Sequence, residues 1–151
     1  MTASHALDWG VKQSLMRYVR MLDDGTIEVS EDAELSAEGT FRFPFVEVGA
    51  DGILRYGGRV HWFGHHGLMD ASLSSPWIAL SPAPALSFDV ELPDLPLERW
   101  TIATMKATET QPGVWAGTEV RLTSDGALTL GALQYHEYQQ VDDLTFAARA
   151  S

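Results

Sequence analysis

Residues 86–92 read Leu86-Ser87-Phe88-Asp89-Val90-Glu91-Leu92, a strict alternation of apolar and polar side chains. A period of two sets Leu86, Phe88, Val90 and Leu92 on one face of a half-buried strand. Upstream, Thr40-Phe41-Arg42-Phe43-Pro44-Phe45-Val46-Glu47-Val48 repeats the pattern, with Phe41, Phe43 and Phe45 on one face. Pro44 inside that run marks an edge strand or a bulge, because proline has no N–H for a ladder. Ala50-Asp51-Gly52 signals a hairpin turn, after which residues 53–63 return as a strand. Downstream, residues 100–108, 114–122, 127–130 and 144–148 continue as strands, with Gln111-Pro112-Gly113 and Ser124-Asp125-Gly126 as turns. Many short strands broken by Gly, Pro and Asp-Gly turns predict a mainly β fold, an antiparallel sandwich or barrel-like sheet.

One segment departs from this period. Between Leu7 and Leu22 the apolar positions Val11, Leu15, Tyr18, Val19 and Leu22 fall at helical spacing. They predict one N-terminal amphipathic helix with Asp8 as N-cap, ended by Asp23-Asp24-Gly25.

The whole chain, 151 residues and 16.6 kDa, fits a single domain over 1–151. A chain of this length buries roughly 68–70% of its unfolded surface and needs no metal or disulfide to fold. Hydrophobic content of 45% excludes a wholly disordered chain, and no apolar run reaches the roughly 20 residues of a spanning helix. No membrane insertion is therefore expected. The first residues show no Lys/Arg-led segment before an apolar core, so no export signal is expected. The absence of cysteine removes thiol catalysis, cysteine-ligated zinc and iron–sulfur clusters.

The net charge of −11 argues against nucleic acid as a partner. Its distribution says more. Residues 1–22 carry a net +2 from Lys12, Arg17 and Arg20 against Asp8, and residues 52–69 carry +2 from Arg55 and Arg59. Residues 23–38 between them carry −7. Two readings of the basic windows are open: chance clustering on a solvated surface, or convergence on an anionic ligand.

Phosphate-cradling glycine loops and the nucleophile elbow of serine hydrolases are absent. Asp23-Asp24 and Asp142-Asp143 are adjacent carboxylates, better suited to turn capping than to acid–base work. His61 and His65 are four apart, and on a strand they would stand about 13 Å from each other, too far to share a metal. Gly64 and Gly67 bracket the His65-His66 pair and allow close backbone approach to a flat ligand. Tyr18, on or beside the helical stripe, is either a boundary core tyrosine or a phenolate ligand for ferric iron, a hard donor for a hard cation. The phenolate reading needs a hydrogen-bond partner to ionise Tyr18 at neutral pH, a part an imidazole such as His65 can supply in kind.

Trp9-Gly10-Val11-Lys12-Gln13-Ser14-Leu15 with Tyr18-Val19 resembles the opening of the haem-transport-associated domain, Htaa. Gly58-Arg59-Val60-His61-Trp62-Phe63-Gly64-His65-His66-Gly67-Leu68 is similar to the glycine-flanked strand of that family, and Ser75-Pro76-Trp77 follows in place. Leu122-Thr123-Ser124-Asp125-Gly126-Ala127 resembles its "Leu-Thr-x-x-Gly" turn, and Tyr135 with Val141-Asp142-Asp143-Leu144-Thr145 resembles its closing segment. The resemblance implies a β-rich haem-binding module of actinobacterial cell-surface haem uptake. It implies ferric haem b held by Tyr18 as axial ligand, His65 hydrogen-bonded to the phenolate oxygen, and Tyr135 as a further pocket residue.

On that basis Val60, Trp62, Phe63 and Leu68 are expected to cover the porphyrin. Arg17, Arg20, Arg55 or Arg59 are expected to face its carboxylates. The expected activity is binding and hand-over, not catalysis, with haem donors or acceptors as partners. Two rival expectations remain: an intracellular haem-handling or peroxide-reactive protein using His61 or His66 as acid–base group, and an Htaa-like interaction module without haem.

Overall fold

The computed structural model describes residues 6–130 and 135–147, excluding the side chain of His65. Eleven strands form one antiparallel sheet: β1 (Ala6–Trp9), β2 (Thr26–Ser30), β3 (Glu34–Leu35), β4 (Phe41–Val48), β5 (Leu54–Tyr56), β6 (Arg59–Gly64), β7 (Met69–Ala79), β8 (Ala85–Glu91), β9 (Glu98–Gln111), β10 (Val114–Leu122) and β11 (Leu144–Ala147). The order β4-β5-β7-β8-β9-β10-β11-β1 returns to β4 and closes a barrel, while β6 and β2 continue outward from β7. Two short helices, α1 (Gln13–Met21) and α2 (Ser124–Thr129), pack on this frame.

The alternating pattern of residues 86–92 becomes β8, with Leu86, Phe88 and Val90 buried. Inside the barrel the aromatic rings form a continuous series. Trp9 stacks on Phe88 at 6.1 Å, Phe88 meets Phe43 edge-on at 5.8 Å, Phe43 neighbours Phe41, and Phe41 meets Trp62 at 5.6 Å. Offset and edge-to-face pairs of this kind add about 0.5–1.5 kcal/mol each beyond burial. Pro44 sits inside the barrel wall, not on an edge, and the expected bulge follows it, between Phe45 and Glu47.

Four local expectations are corrected. Residues 6–9 are a strand, not the start of the helix: Ala6, Leu7 and Trp9 are buried, and β1 fills the gap between β4 and β11. Asp8 accordingly caps nothing and pairs with Arg42 at 2.9 Å. Residues 53–63 divide at Gly57-Gly58 into β5 and β6, which pair with different strands. Residues 127–130 fall in and just after α2, because the Thr123 hydroxyl accepts the Gly126 N–H at 3.0 Å and starts a helix there.

Since α1 begins four residues later than expected, its cap comes from elsewhere. Lys12 at its N-terminus makes no side-chain cap; the Asp142 carboxylate accepts the Gln13 N–H at 3.0 Å instead. Asp142 also donates its own N–H to Val11 O at 2.9 Å and accepts the Trp9 indole N–H at its carbonyl at 2.8 Å. Val11 is held at φ 60, a left-handed conformation that a β-branched residue rarely adopts. Asp142→Ala should lower stability by about 1 kcal/mol, the usual cap contribution, and reduce helical content. Urea denaturation followed by circular dichroism measures both; an unchanged midpoint would contradict the capping role.

The Tyr56 hydroxyl, in the core, donates to the Ala147 carbonyl at 3.0 Å, and burial pushes its pKa well above the ordinary tyrosine value. A raised folded-state pKa gives stability that is whole below the unfolded value near 10 and is lost as pH rises above it. The wild type should therefore lose stability above about pH 10 more steeply than Tyr56→Phe, as read by thermal melting across that range.

Candidate functional site

Leu15, Met16 and Val19 turn one face of α1 into the core, and the helix packs against β2 and β6. Ser14 and Tyr18, four residues apart, share an adjoining face. Tyr18 is half-buried against the core cluster. The Ser14 hydroxyl lies 3.0 Å from the Tyr135 hydroxyl, joining the helix to the segment that follows α2. Burial is the main cause that raises the Tyr135 pKa, partly opposed by the Ser14 hydrogen bond.

Beside Leu15 opens a cavity of about 210 Å³. Its walls come from Leu15 of α1, Trp62 of β6, the Gly67–Ala71 stretch, Leu92, Pro93 and Leu95 after β8, and Leu128–Leu130 at the end of α2. The mouth is apolar: Leu68, Leu95 and Leu128 are 74%, 50% and 59% exposed. Three exposed leucines around one opening form a patch of the kind that marks a binding site. Trp62 is buried, and its Nε1 has no hydrogen-bond partner among the described residues, a donor left on the wall of a cavity. Asp70 is the one carboxylate in the lining, and its Oδ1 is held by His61 Nε2 at 2.7 Å.

The sequence-based candidates distribute unevenly over this site. Tyr18 stands one turn beyond Leu15, on the helix bordering the cavity. His65 opens a single 3-10 turn (His65–Gly67) directly after β6, at the cavity edge where Gly67 and Leu68 lie. Its side chain is outside the described residues. Trp62 and Leu68 line the cavity.

Four candidates lie elsewhere. Val60 is closed into the core. Phe63 projects with His61 from the outward face of β6, their rings 6.5 Å apart, because alternate strand residues face opposite sides. Arg59, on that same outward face, is engaged by Glu91 at 3.1 Å and Ser72 at 2.9 Å, so it is turned away from the cavity. Arg55 is likewise committed, bound to Asp51 at 2.9 Å and lying over the Trp77 ring at 4.3 Å. Arg17 and Arg20 are exposed on α1 and make no ion pair among the described residues. Among those residues no cluster of three or more potential metal-ligating side chains occurs, so a protein-only metal centre built from His, Asp and Glu is not found there.

Sequence reasoning missed Ser14 and two leucines of the mouth, Leu95 and Leu128. Ser14 carried a signal, its i−4 spacing to Tyr18. The leucines of 92–95 and 128–130 lie in segments whose placement depends on tertiary packing. If the Ser14–Tyr135 hydrogen bond joins the two segments, Ser14→Ala and Tyr135→Phe should be coupled by about 1 kcal/mol in a double-mutant cycle of denaturation free energies. Strictly additive effects would show that the contact contributes nothing.

A family model described as Htaa matches residues 4–147. Among solved structures, the C-terminal domain of HtaA from Corynebacterium glutamicum is similar at a TM-score of 0.75 and 20% identity, over 97% of this chain and 96% of that one. The heme binding protein HtaB from the same organism is similar at 0.75 and 21%, over 95% and 91%. The N-terminal domain of HtaA is similar at 0.73 and 21%, over 99% of each chain. At these identities the likeness is one of fold. No curated protein matches the sequence.

Proposed function

The chain belongs to the Htaa family, and on that premise we propose that it binds ferric haem b between α1 and α2 and hands it on without chemical change. The observation that carries this reading is the apolar cavity with its rim of exposed leucines, bordered by the helix that bears Tyr18. A heme binding protein shares the fold, which supports the same ligand class.

The residues present fit the group. Leu15, Met69, Leu92 and Leu130 give hydrocarbon walls for a porphyrin face, and Leu68, Leu95 and Leu128 lie where they can cover its edge. At about 210 Å³ the cavity is smaller than a typical whole-ligand site of roughly 300–1,000 Å³, so part of the ligand rests against the leucine rim. Tyr18 would supply the hard oxygen donor that ferric iron prefers, and His65 would donate a hydrogen bond to it. Haem, when bound, supplies the Lewis-acidic iron that makes a phenolate stable at neutral pH. The Ser14–Tyr135 hydroxyl pair and Arg17, which acts electrostatically on Tyr135, offer donors and charge to the ligand's carboxylates. A single phenolate ligand leaves the complex able to release its cargo to an acceptor. Other haem-uptake proteins are the proposed donors and acceptors.

Titration with ferric haem, read by the Soret band, tests this. The wild type should give a saturable shift. Tyr18→Ala should lose the ferric-phenolate spectrum, and His65→Ala should bind about 10–100-fold more weakly, as loss of a supporting hydrogen bond to a ligand does. A wild type without a Soret shift refutes haem binding. A Tyr18→Ala protein with the wild-type spectrum refutes the ligand assignment alone. Peroxide turnover above that of free haem would refute the purely carrying role.

A further inference from the structure

The end of α1 and the turn after β6 are built as one unit. Beyond α1 the chain bends through Leu22–Gly25, with the Gly25 N–H donating to Leu22 O at 3.2 Å. Gly25 approaches the helix so closely that a Cβ there would lie 1.9 Å from Val19 O. Gly64, the last residue of β6, packs on the same bend: a Cβ on it would lie 2.7 Å from Leu22 Cδ1 and 3.3 Å from Gly25 Cα. Across this contact the Asp24 carboxylate accepts the His66 N–H at 2.8 Å. His66 is in the left-handed region, φ 55 and ψ 34, with its side chain 96% exposed. Its ring Nδ1 also lies 3.8 Å from the same carboxylate, so both the backbone and the ring of His66 meet Asp24. Asp24 therefore fixes the backbone next to His65 to the end of the helix that carries Tyr18.

We propose that Asp24 is a positioning residue for the bound ligand, holding the His65–Gly67 turn in the geometry from which His65 supports Tyr18. This rests on the haem reading above. Supporting groups must be held within about 0.5 Å of productive geometry, and a turn of three residues with a left-handed centre does not hold itself to that tolerance. Asp24 does so from 42 residues away in sequence, its carboxylate accepting the His66 N–H in a charge-assisted hydrogen bond.

The test compares wild type, Asp24→Ala and Asp24→Asn loaded with ferric haem, recording the ferric-phenolate absorption and the rate of haem loss to excess apomyoglobin. Each is made in the native and the His65→Ala background, and the melting midpoint of each ligand-free protein is recorded. Asp24→Ala should lose haem about tenfold faster, the effect of one charge-assisted hydrogen bond. Asp24→Asn, which keeps an acceptor oxygen, should stay within about twofold of wild type. In the His65→Ala background Asp24→Ala should add nothing, since the residue through which it acts is gone. Gly64→Ala, pressing on Leu22 from the other side, should speed haem loss without altering the carboxylate, and serves if Asp24→Ala fails to fold. An unchanged loss rate in Asp24→Ala overturns the proposal. So does an equal acceleration in both backgrounds, which would mark a merely structural contact. A wild type that does not bind haem overturns the underlying reading itself and is distinguished by the missing Soret shift.

Discussion

Three hydrogen bonds from Asp142, to Trp9, Val11 and Gln13, anchor the start of α1 to the barrel. A helix of nine residues is too short to be stable in water by its own propensity, so its existence depends on such tertiary ties. The buried face of Leu15, Met16 and Val19 supplies the apolar part, and Asp142 satisfies the N–H that Lys12 leaves uncapped. Every feature of the site on this helix inherits its position from that anchorage: the cavity wall at Leu15, the Ser14–Tyr135 contact and the placement of Tyr18. The barrel is the rigid body, and α1 is a guest held at both ends.

The electrostatics follow from the same arrangement. Of the two basic windows, the one with Arg55 and Arg59 is absorbed by Asp51, Glu47 and Glu91 on the sheet surface. The α1 window keeps Arg17 and Arg20 exposed and outside any ion pair among the described residues, with Arg17 acting electrostatically on Tyr135. An acidic protein thus keeps two such cationic side chains on the helix that borders its leucine-rimmed cavity.

The β architecture was legible because alternation is a local signal. Residues 86–92 and 114–122 needed no neighbour to declare their period. The failures lie where a local signal was ambiguous or outvoted. Ala6–Trp9 carries apolar residues compatible with either period, and the vacancy between β4 and β11 decides for a strand. Ser124–Thr129 reads as turn plus strand until the Thr123 cap selects a helix. Around the cavity, Tyr18 and the turn of His65 stand out in the sequence because they sit in short glycine-marked motifs. Arg59 and Phe63 face away from the cavity because one-residue alternation on β6 sends them to the opposite face from Trp62. The leucine rim assembles from three segments far apart in sequence, and only Leu68, after Gly67, carries a local mark.

The cap from Asp142 also has a meaning in time. During synthesis the chain emerges from its N-terminus, so Tyr18 is exposed long before residue 142 exists. Until the closing segment arrives and β11 enters between β1 and β10, α1 has neither its cap nor a finished barrel to lie on. Pairings between the two ends of the chain are the slowest kind to form, because the longest loop must close first. The helix that borders the cavity is therefore completed late, its cap and the strand that closes the barrel arriving together from residues 142–147.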